Sequence, residues 1–179
     1  MPVRLGRFEL PQDIRLDDKV TEENCGRFIV EPFEAGYGRT LGNSLRRVLL
    51  SSLEGAAITS IKIEGAMHEF CALPGISEDV TDIVLNIKKL LCKMYTREPC
   101  KISIDKKGPG QVTGADVVTD GSVEILNPDH YIATLDKDGH LEMEMEVKIG
   151  RGYCPAEWNK EKVLASVNGP IMIVSILRY

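Results

Sequence analysis

The side chains best suited to chemistry in this chain of 179 residues are its five cysteines, three histidines and 27 carboxylates, and their spacing decides what they could do. A structural zinc site needs four converging ligands, commonly cysteines in close pairs or histidines a few residues apart. Cys25, Cys71, Cys92, Cys100 and Cys154 include no C-x-x-C pair, and His68, His130 and His140 stand apart from one another and from any cysteine cluster. An odd number of widely spaced cysteines also argues against a disulfide framework and reads as reduced thiols. No metal and no cofactor are expected. Asp136 with Asp138, or the ladder Glu142, Glu144 and Glu146, could suggest acid-base work, but the ladder alternates with apolar residues, as the wet face of a strand does. No nucleophile pairs with a base, so no catalytic residue is assigned.

Two glycine patterns invite a ligand reading. Gly36, Gly38 and Gly42 follow a strand-like run, open a helical one and precede a strand ending at Glu64, superficially like a dinucleotide fingerprint. The spacing is GxGxxxG rather than GxGxxG, and Pro32 interrupts the first strand, so a strand-to-helix turn is the expectation. Gly108-Pro109-Gly110 beside Lys106 and Lys107 could cradle an anion, yet it lacks the G-K-[ST] ending and leads into no helix. A mobile surface loop is expected over residues 106–114.

A formal charge of -5 and a pI near 5.3 argue against a surface built to neutralise nucleic-acid phosphates. The amino terminus lacks the apolar run of a signal peptide, and no segment reaches the roughly 20 apolar residues of a membrane span. The chain is expected in the cytoplasm, with no direct DNA contact and no membrane association.

The elements that would position any site follow from periodicity. A charged, irregular opening leads to a strand at residues 27–33. A helix then runs from Leu41, with Thr40 as its N-cap and Leu41, Leu45, Val48 and Leu49 as its buried stripe. At about 100° per residue, Leu50 falls opposite that stripe among Asn43, Arg46 and Arg47. An apolar anchor framed by arginines suits a protein interface. A solvated face carrying one stray leucine is the plainer chemical reading. A strand at residues 57–64 should place Thr59, Ile61 and Ile63 on one face and Ser60, Lys62 and Glu64 on the other. Ser77-Glu78-Asp79 should start a second helix running to about Leu91, with Val80, Ile83, Val84, Ile87 and Leu91 buried, Leu85 off the stripe, and Lys88 and Lys89 closing it. Strands are expected at 101–105, 122–126, 131–135 and 141–149, with residues 136–139 as a hairpin turn between the last two. The fold class is therefore α+β with a mainly antiparallel, strand-rich part.

The string GRTLGNSLRRVLLSSLEGAAI resembles the signature helix of bacterial and plastid RNA polymerase alpha subunits, and further likenesses follow in IKIEGAMHEF, EDVTDIVLNIKKL, VTGADV, VEILNP and RGYCPA. The resemblance runs over roughly residues 1–158. It implies an amino-terminal region whose dimerisation part begins in residues 1–54 and carries an inserted strand-rich domain at 55–160. Residues 161–179 would form a divergent tail with a partial return strand around 169–177. The resemblance implies a non-catalytic assembly scaffold of the DNA-directed RNA polymerase nucleotidyltransferase complex. Its partners would be the beta and beta-prime subunits and a second alpha chain. Arg47 and Leu50 match family positions that hold the beta subunit, Lys88 matches one linked to assembly, and Arg46 is a further interface candidate. For Lys88 a simple helix-terminal cation is an equal reading. With the match fading after Pro155, the resemblance also implies an incomplete dimerisation part without the carboxy-terminal DNA-binding domain. The alternative function is a truncated, partly folded alpha fragment impaired in assembly.

Overall fold

A computed structural model describes residues 10–17 and 25–155, and the backbone of 172–173. The chain divides into two compact units, Met1–Leu49 and Leu50–Tyr179.

In the first unit, β1 (Ile14–Leu16) pairs antiparallel with β2 (Phe28–Val30), Ile14 opposite Val30. The expected strand at 27–33 is thus shorter, and the opening stretch read as irregular contains β1. α1 (Tyr37–Ser51) begins in this unit. A turn closed by the Tyr37 N–H on the Glu34 carbonyl, 3.0 Å, launches it, and Gly36 takes φ +89°, which side-chain-bearing residues rarely adopt. The helix therefore starts three residues before Thr40. Thr40 is not its cap but an interior residue whose carbonyl accepts the Ser44 hydroxyl at 2.9 Å.

The second unit holds the hydrophobic core. Its main sheet runs β5 (Cys100–Lys107), β9 (His140–Arg151), β3 (Glu54–Ile63), β4 (Cys92–Met94), β7 (Val123–Ile125), with β10 (Met172–Ile173) pairing Ser60 and Ile61 of β3. Every ladder among the described residues is antiparallel. The class is α+β. The tail expected at 161–179 lies outside the described residues apart from β10.

β9 follows its sequence pattern. Leu141, Met143, Met145 and Val147 are buried, while Glu142 and Glu144 are exposed. β3 departs from its pattern, because a bulge between Ile58 and Ser60 breaks the alternation. Thr59 and Ser60 are both buried, the first donating to the Glu146 carbonyl and the second to its carboxylate, each at 3.2 Å. α2 (Val80–Ile87) buries Val80, Ile83 and Ile87 and leaves Leu85 half exposed. It stops four residues short of Leu91, so the chain turns and buries Leu90 instead, leaving Leu91 53% exposed.

The turn expected to close a hairpin does something else. β8 (Tyr131–Leu135) does not pair with β9; it pairs with β6 (Gly110–Thr113) in a separate two-stranded sheet. Since β5 runs into β6 and β8 into β9, the two sheets are successive stretches of one antiparallel ribbon. The ribbon bends where Gly108 donates to the Gly139 carbonyl at 3.1 Å. Residues 136–139 form its corner, and β6 occupies part of the expected loop at 106–114. The corner interlocks with the Pro74-Gly75 turn: Asp136 N–H reaches the Gly75 carbonyl at 2.9 Å, and a Cβ on Gly75 would lie 2.7 Å from the Gly139 Cα.

Candidate protein-interface site

α1 carries three of the four residues singled out above. Arg46, Arg47 and Leu50 are all exposed, Leu50 by 65%. The opposite stripe is not buried as expected. Leu45 and Val48 are each 53% exposed and Leu49 56%, while Leu41 is half-buried. Periodicity identified residues sharing one face; it does not say what covers that face. α1 thus presents an aliphatic stripe on one side and an arginine-framed leucine on the other, both accessible.

Lys88 belongs to the second unit, at the C-cap of α2, and is exposed. The start of that helix matches its acidic sequence: Asp79 is the N-cap and accepts the Asp82 N–H at 2.8 Å. Glu78 ties the helix entry to β8. It accepts the Tyr131 hydroxyl and, at 2.7 Å, the Thr134 N–H. Burial pushes the Glu78 carboxyl up, but those hydrogen bonds outweigh it and hold it below the usual range.

One exposed feature was only half visible in sequence. In the loop at 65–73, Met67 is 84% exposed and Phe70 74%. The loop is nevertheless held in shape: Phe70 N–H donates to His68 Nδ1 at 3.2 Å, the Thr81 hydroxyl to the Glu69 carbonyl at 2.7 Å, and Val80 N–H to the Cys71 carbonyl at 3.1 Å. Large apolar side chains on a fixed loop form an anchor for a partner at little ordering cost. The apolar stretch around Phe70 was legible, but its outward orientation was not.

Groups that could have done chemistry are engaged elsewhere. His130 Nε2 faces the Asn86 carbonyl at 2.9 Å and therefore donates, and His140 Nε2 meets Asp105 at 2.8 Å. All five cysteines are free thiols, and burial pushes Cys92 up to about 11. No group of three or more His, Cys, Asp or Glu side chains that could hold a metal occurs among the described residues. Lys106, part of the anion-cradle pattern, is spent on Asp116 at 2.7 Å and on the Gln111 carbonyl at 2.8 Å. Among the described residues no helix is long and apolar enough to cross a membrane.

Residues 61–176 match the family described as the RNA polymerase Rpb3/RpoA insert domain. The chain is 53% identical over 152 residues to the DNA-directed RNA polymerase subunit alpha of Geobacter metallireducens, covering 85% of this chain and 45% of that protein. It is 58% identical over 142 residues to the subunit of the same name from Symbiobacterium thermophilum, covering 79% and 45%. With that of Moorella thermoacetica the identity is 57% over 147 residues, covering 82% and 45%. The chain belongs to the bacterial RNA polymerase alpha-subunit family and corresponds to its amino-terminal region. It spans about half the length of these relatives.

Proposed function

We propose that this chain acts in transcription as a non-catalytic assembly scaffold of DNA-directed RNA polymerase, dimerising with a second alpha chain and docking the beta and beta-prime subunits. The observation that carries this reading is the two-sided exposure of α1. An aliphatic stripe formed by Leu45, Val48 and Leu49 is left half uncovered, and Leu50 stands out among arginines on the other side. A stripe of this kind is the usual material of a helix-to-helix contact between copies, and an arginine-framed leucine that of a subunit contact. The relatives named as alpha subunits suggest which partners to test. Residues 1–54 belong, in this reading, to the dimerisation part and residues 55–160 to the inserted domain that meets the large subunits. Arg46, Arg47, Leu50 and Lys88 make the contacts, with Met67 and Phe70 as a second apolar anchor. The work is done in the cytoplasm, without cofactor or direct DNA contact by this chain.

Copurification with the beta subunit tests the assignment, comparing the native chain with an Arg47→Ala, Leu50→Ala double variant. Leu50 is too exposed for its truncation to unfold the chain, so stability should stay within about 0.5 kcal/mol while recovery falls. Equal recovery would sink the interface. Recovery of neither would favour a partly folded fragment that assembles poorly.

A further inference from the structure

α2 ends without the glycine that commonly terminates helices; its C-cap, Lys88, stays in the right-handed helical region at φ -60° and ψ -21°. The carbonyls of a last helical turn need partners from somewhere. Here they come partly from a segment far along the chain. The Asn127 amide donates to the Lys89 carbonyl at 3.0 Å and accepts the Leu91 N–H at 2.8 Å. The Leu126 N–H reaches the Leu91 carbonyl at 2.9 Å, and His130 Nε2 donates to the Asn86 carbonyl at 2.9 Å. In return, the Asn86 side chain donates to the Ile132 carbonyl at 2.9 Å. The turn carrying Lys88 and Lys89 is thus gripped from Asn86 to Leu91.

The gripping segment is itself fixed from behind. Gly114 N–H donates to the His130 carbonyl at 2.9 Å and Ala115 N–H to the Pro128 carbonyl at 2.8 Å. A side chain at 114 would prevent this approach, since its Cβ would lie 2.8 Å from the Asn127 carbonyl oxygen and 3.1 Å from that of Pro128. Three stretches remote in sequence, EDVTDIVLNIKKL, VTGADV and VEILNP, therefore meet around one exposed lysine turn. Burial of the α2 stripe alone does not require this, because that stripe ends at Ile87.

We propose that Asn127 is a positioning residue for subunit docking: its amide fixes the α2 C-terminal turn so that Lys88 meets an anionic group on a large polymerase subunit without first having to order its own backbone. The inference rests on the reading of Lys88 as an assembly contact. Both ends of the Asn127 amide are engaged within the chain, so its effect on docking passes through the turn. Pre-ordering a contact in this way is worth about a two- to tenfold gain in binding.

The test is a double-mutant cycle on the full chain, titrated with purified beta and beta-prime subunits at low and high salt. Lys88→Ala should weaken binding. Asn127→Ala should weaken it about two- to tenfold, and the double variant should bind no worse than Lys88→Ala, because both act through one contact. Raising the salt should erase the Asn127→Ala effect together with that of Lys88. Asn86→Ala, which loosens the same turn through Ile132, should give the same pattern, and it carries the test if Asn127→Ala no longer melts cooperatively. Additive losses, or an Asn127→Ala chain that binds like the native one while Lys88→Ala is weakened, would overturn the positioning role and leave Lys88 in place. Native-like binding by Lys88→Ala would remove the Lys88 contact and this proposal with it.

Discussion

Replacing Leu45 by alanine separates a helix face awaiting a partner from one already served by its own chain. Leu45 is 53% exposed, so about half the burial free energy of a leucine, roughly 1 kcal/mol, is not yet realised. In a two-fold dimer the substitution falls on both chains, and the loss doubles to about 2 kcal/mol, or about a 30-fold weaker dimer. Unfolding of the dilute, unassociated chain should change by less than about 1 kcal/mol, because alanine is the better helix former and the half-exposed site leaves little cavity. Sedimentation velocity over a concentration series reads the first quantity, and urea unfolding at the lowest concentration reads the second. Unchanged self-association with a stability loss of about 2 to 5 kcal/mol, the range for a buried leucine, would show that the stripe is covered within the chain. The dimer reading of α1 would then fail.

Asp116 and Lys106 give a pH prediction. Burial pushes the Asp116 carboxyl up, but the Lys106 ammonium and the Thr113 N–H and hydroxyl outweigh it and hold it below its ordinary range. A carboxyl lowered by folding stabilises above its unfolded pKa, and that stability is lost as pH falls through the folded value. The pair should thus contribute fully at neutral pH and fade below about pH 4. Asp116→Asn should cost about 1 to 2 kcal/mol at pH 7, with a shallower acid limb in denaturant titrations run from pH 7 to 2. The thiols should separate by burial: Cys25, exposed, should react promptly with an aromatic disulfide reagent at pH 8. Cys92, buried and pushed up to about 11, should react only as the chain unfolds. Fast modification of Cys92 in the folded chain would contradict the packing of β4.

Much of this was legible because it is local. The alternation from Leu141 to Ile149 gave β9, and Ser77-Glu78-Asp79 gave the start of α2. The string around Arg46 and Arg47 pointed to the family. What was not legible depends on residues distant in sequence. The Leu41 to Leu49 stripe reads the same whether a sheet or another chain covers it. Leu90 and Leu91 exchange places because α2 is ended by its tertiary surroundings, with Asn127 gripping the turn beyond it. β4 and β6, three and four residues long, are too short to show a period. Asp136-Lys137-Asp138-Gly139 has the composition of a hairpin turn, and only the partners of β8 and β9 show that it turns a corner instead.

That corner has a mechanical consequence. Two sheets normally choose their alignments independently, but here Ile104 opposite Met143 and Val112 opposite Ala133 lie along one continuous ribbon, on either side of the bend. A one-residue slip in the short sheet could not stop at Gly108; it would drag β5 past β9 and turn Ile104 and Met143 out to water. The deep core of the larger sheet thus sets the alignment of a two-stranded sheet that would be marginal by itself. The ribbon behaves as a single cooperative object, able to open as a whole but not to creep.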